Sequence, residues 1–238
     1  MNLWKRLFGK PQVALAPEQQ ARLDAWRALP PPPPVPLEQS RILVVDLEST
    51  GLDVQRDRPL SIGAVAVEKS RIQFDQLFLR MLHQEPGSGA NDAVLIHGIS
   101  PTQTDQGMDP ADALLDFLEF TARSPLVAYH APFDRELTRN EARRRLGIAL
   151  DLPWLDLAWL LPALFPEPRL IHAPLDAWLD HFHLHVPDRH RADVDALMTA
   201  ELLLICLAQV RSRGLARFED IHELARLHAA RHATVAGI

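Results

Sequence analysis

The segment Arg41 to Gly51 constrains this chain more than any other. Ile42-Leu43-Val44-Val45 is an unbroken, β-branched-rich apolar run, the pattern of a strand covered on both faces. It ends in Asp46-Leu47-Glu48. Residues i and i+2 of a strand share a face, so Asp46 and Glu48 project together from the end of an otherwise apolar strand. Two anions so placed repel. They are tolerated when solvated, when one takes a proton, or when a hard divalent cation sits between them.

The elements around this strand predict an α/β domain. Pro59 to Glu68 and Arg71 to Met81 read as two strands joined across Lys69-Ser70, a hairpin signal. A loop with Pro86, Gly87 and Gly89 follows, then a helix over Pro110 to Arg123 with Ala113, Leu114, Phe117, Leu118 and Phe120 on its apolar face. Leu126 to Tyr129 and Leu152 to Leu155 read as short strands, and Pro132 to Leu146, Asp156 to Leu164, Ala173 to Phe182, Ala192 to Arg213 and Leu215 to Ala230 as helices. Three successive strands followed by alternating helix and strand imply a mixed sheet, antiparallel at first and parallel through the later crossovers.

Proline marks off the beginning of the chain. Eight of the 20 prolines lie in the first 36 residues, and Pro30 to Pro34 is an extended polyproline spacer. Ahead of it, Pro17 to Leu29 suits a short helix, and Leu3, Trp4, Leu7 and Phe8 alternate with Lys5, Arg6 and Lys10. We expect residues 1–40 to be a removable extension, 41–213 the main domain and 214–238 a helical tail. The single Cys206 excludes an intrachain disulfide framework and any cysteine-rich zinc site, which suits a reducing compartment. With no apolar stretch of membrane-spanning length and no secretory h-region, a cytoplasmic location is expected. Neither a G-x-G-x-x-G nor a G-x-x-x-x-G-K motif occurs, so dinucleotide-binding and P-loop chemistry lose their main support.

Three further acids stand where they can join Asp46 and Glu48. Asp134 lies in the first turn of the helix after the strand Leu126 to Tyr129, and alone it reads as a partner of the helix dipole. Asp193 and Asp195 both lie near the start of the Ala192 helix, and periodicity does not say which faces inward. In order, these acids converge at one end of an open sheet, where α/β folds hold ligands. Four carboxylates neutralise two Mg2+ or Mn2+, the arrangement suited to phosphoryl displacement.

Asp46-Leu47-Glu48 with Thr50-Gly51-Leu52, then His130-Ala131-Pro132-Phe133-Asp134, then His190-Arg191-Ala192-Asp193-Val194-Asp195-Ala196, resemble the three motifs of the DEDDh (DnaQ-like) 3′-to-5′ exonucleases. The family includes the proofreading (epsilon) subunit of bacterial DNA polymerase III, ribonuclease T and oligoribonuclease. The resemblance spans Arg41 to Arg213, with His97-Gly98-Ile99-Ser100 and Leu155-Asp156 as minor matches. It implies an RNase H-like five-stranded sheet of order 3-2-1-4-5. It makes Asp46, Glu48, Asp134 and Asp195 ligands of two Mg2+ or Mn2+, and His190 the general base toward the attacking water, a task suited to an imidazole near neutral pH. Thr50, Gly51, Leu52, His97 and Phe133 become substrate contacts. Where many relatives have His-Asn, this chain has Tyr129-His130.

The resemblance implies release of nucleoside 5′-monophosphates from single-stranded DNA or RNA 3′ ends, with DNA favoured. The alternatives are an RNA-trimming enzyme of the ribonuclease T or oligoribonuclease type, or a polymerase-associated binding module that engages a DNA polymerase or another protein through the N-terminal arm. Other features read as structural. Arg135, Arg139 and Arg143 form a solvated helix face with Glu136 and Glu141 as partners, or a guide for phosphates. His181, His183 and His185 alternate as on a strand face that could take a transition metal. Trp154, Trp159 and Trp178 read as core, and Gln73 to Phe78, faintly like a polymerase-clamp peptide, reads as strand. The net charge of −6 implies no broad basic surface, hence a local grip on a short 3′ end and poor binding of long duplexes.

Overall fold

A computed structural model describes residues 13–84, 101–185 and 190–233. Five strands form one sheet: β1 (Arg41–Ser49), β2 (Pro59–Glu68), β3 (Arg71–Met81), β4 (Leu126–Ala128) and β5 (Trp154–Asp156), in the order β3-β2-β1-β4-β5. β1 is central, antiparallel to β2 and parallel to β4, and β4 and β5 are parallel. This is the mixed 3-2-1-4-5 sheet expected. Both residues of the β2–β3 turn, Lys69 and Ser70, have positive φ (51° and 56°), the backbone of a tight hairpin turn compatible with strand twist.

The apolar run of β1 alternates between two cores. Leu43, Val45 and Leu47 pack into one with α1 (Pro17–Arg27), α3 (Pro110–Thr121) and α4 (Ala131–Arg145). Ile42 and Val44 pack into the other with α5 (Leu157–Leu164), α6 (Leu175–His181), α7 (Ala192–Ser212) and α8 (Phe218–Ala233). Helices on both faces explain why β1 carries no polar alternation until Asp46. The short helix α2 (Pro101–Asp105) has no apolar periodicity of its own and was not expected.

The helix ahead of the polyproline stretch is docked. Leu23 and Trp26 are buried in the first core, and Arg22 forks onto Asp116 (2.6 Å) and Glu119 (2.7 Å) of α3. The spacer itself, Pro30 to Pro34, is exposed. The basic stretch from Leu3 to Lys10, and His97 with its neighbours 98–100, lie outside the described residues.

His181, His183 and His185 do not share a strand face. His181 closes α6 against Trp178 and Phe182, and His183 sits in a turn with φ 58°. Trp154 and Trp178 are buried, while Trp159 is only partly so, packed against histidines. Gln73 to Phe78 lies within edge strand β3, whose register shifts opposite Val65 and Ala66. Among the described residues no helix is long and apolar enough to cross a membrane.

Candidate active site

The end of β1 carries the acids, and its ladder shows why they meet a helix there. Asp46 pairs with Gly63 and Glu48 with Ser61 of β2, and the register breaks just beyond, between Glu48 and Ser49. At Gly63 the first turn of α7 drops onto the sheet: a Cβ there would lie 2.1 Å from the Ala192 carbonyl carbon and 2.4 Å from the Asp193 nitrogen. Ala192, Ala196 and Ala200, all buried, keep the inward stripe of α7 small and the approach close.

This contact decides which acid of α7 faces inward. Asp195 shares the buried stripe, whereas Asp193 is paired outward with Arg191 at 2.9 Å. One carboxylate oxygen from each of Asp46, Glu48 and Asp195 lies within 4.8 Å of the others. Glu48 and Asp195 are buried and Asp46 half-buried. Three close carboxylates in a partly dry setting are costly alone and offer hard oxygen donors, so the donor set fits a hard divalent cation.

Asp134 stands beside this trio rather than within it. It is buried in the first turn of α4, and the backbone N–H of Leu47, the residue between Asp46 and Glu48, donates to its carboxyl. Burial above all, reinforced by the facing charges of Asp156 and Glu48, pushes its pKa well above the usual carboxylate range. Asp156, at the end of β5, has a pKa raised by burial. One of its oxygens accepts from His130 N–H and Ala158 N–H, each at 3.0 Å, so it caps α5 and anchors the turn into α4. In the sequence Asp156 stands out only as an acid at a strand end, one residue before a helix.

His130 occupies the left-handed region (φ 63°, ψ 45°) at the start of α4. Asn visits that region readily and His is among the side chains that tolerate it, which gives a backbone reason for either residue at this position. His190, also with positive φ (68°), is exposed at the entry to α7, and its N–H donates to Asp195 Oδ2 at 3.3 Å. The backbone of His190 is thereby tied to the acidic cluster while its imidazole stands in solvent.

The loop after β1 is organised by Asp57. Thr50 Oγ1 donates to Asp57 Oδ1 (2.8 Å) and accepts from Arg58 N–H (3.0 Å), and Asp53 N–H donates to Asp57 Oδ2 (2.7 Å). A Cβ on Gly51 would lie 2.7 Å from Asp57 Oδ2, so glycine lets the carboxylate close over the loop. α4 holds the far side: Asn140 Nδ2 donates to Val54 O and Arg144 to Gln55 O. The result presents Leu52 with 88% of its surface exposed, an unusual setting for a leucine. Phe133 is partly buried against the first core beside Asp134. The arginines of α4 are engaged locally, Arg135 and Arg139 with Glu136 and Arg143 with Asn140.

Residues 43–203 match the family described as Exonuclease (RNase T). Over 197 residues the chain is 30% identical to a DNA polymerase III subunit epsilon-like protein of Rhodobacter capsulatus, an overlap of 81% of this chain and 27% of that protein. It is 27% identical over 187 residues to a PolC-type DNA polymerase III of Thermotoga petrophila, covering 79% of this chain and 13% of that one. The chain thus spans about a quarter or less of the length of these relatives. Its fold is similar to that of the zinc-ion-bound E. coli ExoI–ssDNA complex, with a TM-score of 0.61 and 21% identity over 84% of this chain and 46% of that one.

Proposed function

Because the chain belongs to the exonuclease family of ribonuclease T, we propose that it is a 3′-to-5′ exonuclease releasing nucleoside 5′-monophosphates from single-stranded 3′ ends, DNA by preference. The observation that carries this reading is the convergence of Asp46, Glu48 and Asp195 at the end of the central strand, with Asp134 beside them. The epsilon-like and PolC-type relatives favour DNA over RNA as substrate, and a proofreading or repair setting over RNA trimming.

Asp46, Glu48, Asp195 and Asp134 would hold two Mg2+ or Mn2+ ions. Such ions, when bound, supply Lewis-acid stabilisation of charge on the scissile phosphate and the departing 3′ oxygen. His190, whose backbone is held by Asp195, takes a proton from the attacking water at its imidazole. Leu52, held out by the Asp57-organised loop, meets the terminal bases with Thr50 and Gly51, and Phe133 and His97 complete the contacts. In this reading residues 41–213 are the exonuclease domain, onto whose cores α1 and α8 pack from the flanking segments 1–40 and 214–238, and the exposed stretch Pro30 to Pro34 is the part of the N-terminal arm open to a polymerase partner.

Incubation of 3′-labelled DNA and RNA oligomers with the protein in Mg2+ or Mn2+ tests it. Mononucleotide release that stops in EDTA and in Asp46→Ala supports the reading. No release from either oligomer, or full activity in Asp46→Ala, overturns it.

A further inference from the structure

A band of imidazoles and one tryptophan runs away from the carboxylates along the same end of the sheet. Trp159 lies in the first turn of α5, three residues after Asp156, whose carboxylate faces Asp134. An exposed His172 meets the Trp159 ring edge-on at 4.8 Å between centroids. From α8, His232 lies nearly parallel to it (14°, 6.4 Å) and His228 is tilted toward it at 6.2 Å. His228 and His232, one helical turn apart, are 4.5 Å from each other. The band continues toward the carboxylates through Tyr129, whose hydroxyl donates to the Ala173 carbonyl and whose ring meets exposed His130 at 4.8 Å.

Packing α8 onto α5 needs apolar contacts, which Leu224, Ile221 and Ala225 supply in the second core. Imidazoles around a half-exposed indole are poor choices for that purpose alone. They suit a ligand that offers flat π-faces and phosphate oxygens in alternation. The chain has a net charge of −6 and its reacting centre is built of carboxylates, so a polyanionic strand gains little from the protein's overall field. It needs local cationic donors and stacking surfaces near that centre, and exposed Arg169 and Arg231 flank this band on the loop before His172 and on α8.

We propose that Trp159, His172 and His232 form a contact surface for the single-stranded nucleic acid upstream of its reacting 3′ end, with bases against the rings and phosphates against the imidazole N–H groups, while His228, whose Nε2 is buried, backs the band from behind. This rests on the exonuclease reading for its ligand, but concerns nucleotides that the carboxylates do not touch. The consequence is length dependence: a strand long enough to reach from the carboxylates to Trp159 binds better than a dinucleotide.

The test is the affinity of the full-length protein for fluorescently labelled dT2 and dT12, measured in EDTA so that neither cleavage nor metal enters. The dT12-to-dT2 affinity ratio is expected to fall at least fivefold in the His172→Ala/His232→Ala double variant. Because α8 rests partly on His232, the exposed loop variant His172→Ala alone is measured alongside, with an expected fall of at least twofold. A clasp that only joins α5 to α8 lowers the melting temperature but leaves that ratio where it was, and an unchanged ratio in His172→Ala overturns the proposal. Wild-type protein that shows the length dependence yet releases no mononucleotide with metal restored sinks the exonuclease reading and leaves the strand surface standing.

Discussion

Gly63 stands directly across the β1–β2 ladder from Asp46, and the space where its Cβ would be is filled by the backbone of Ala192. The helix that carries Asp195 is therefore seated on β2 through a missing side chain, directly beside the strand that carries Asp46 and Glu48. Gly63→Ala is expected to lift the first turn of α7 and move Asp195 off Asp46 and Glu48. The overpacking should cost about 1–3 kcal/mol of stability. Mn2+ affinity measured by calorimetry should fall at least tenfold; wild-type affinity in a folded Gly63→Ala protein would show that α7 does not place the third carboxylate.

The trio of carboxylates links metal to stability. Binding at a hundredfold excess over Kd adds about 2.7 kcal/mol, so Mn2+ should raise the melting temperature of the wild type by several degrees. In EDTA, Asp46→Asn should melt no lower than the wild type, since one of three close negative charges is gone. In Mn2+ the order should reverse, and differential scanning calorimetry in the two buffers checks both halves.

Asp156 is expected to matter without touching metal. Asp156→Ala removes the acceptor for His130 N–H and Ala158 N–H, a cap loss of about 0.5–2 kcal/mol. It also loosens the left-handed entry to α4 and hence Asp134. We expect nuclease activity to drop several-fold and Asp156→Asn, whose amide oxygen still accepts, to recover most of it.

The helix before the proline spacer is part of the first core. Leu23→Ala should cost about 2–5 kcal/mol, the range for a leucine truncated in a packed interior. Deletion of residues 1–40 should cost at least as much, since it also strips the Arg22 fork from Asp116 and Glu119. Urea denaturation of both variants gives the measurement, and loss of less than about 1 kcal/mol in either would mean that α1 is only loosely held.

His228 has a pKa lowered first by burial, then by the neighbouring charges of His232 and Arg231. The unfolded chain therefore protonates this site before the folded one does as pH falls. Its contribution to stability is present above the unfolded value, about 6.5, and is lost progressively below it. His228→Gln should show a smaller drop in melting temperature between pH 7.5 and 5.5 than the wild type does.

Much of this was legible along the chain, because strand and helix periodicities are local. Two-residue alternation from Arg71 to Met81, the unbroken run at Ile42 to Val45 and the proline-started helix at Pro17 each report on backbone geometry within a few residues. So does the pair Asp46 and Glu48, whose shared face follows from the strand itself. The helix Pro101–Asp105 escaped because one turn holds no periodic signal.

The amino-acid sequence by itself determined the elements, their order and the acids able to serve a phosphodiester chemistry. Only the tertiary structure decided that Asp195 and not Asp193 turns inward, that Asp156 anchors the turn into α4, that α1 belongs to the core, and that Trp159 gathers histidines from two distant segments. The reason is range. A helix offers several faces at nearly equal local cost, and the choice among them is made by close packing against residues far away in the chain, here the backbone of Ala192 on the bare face of Gly63.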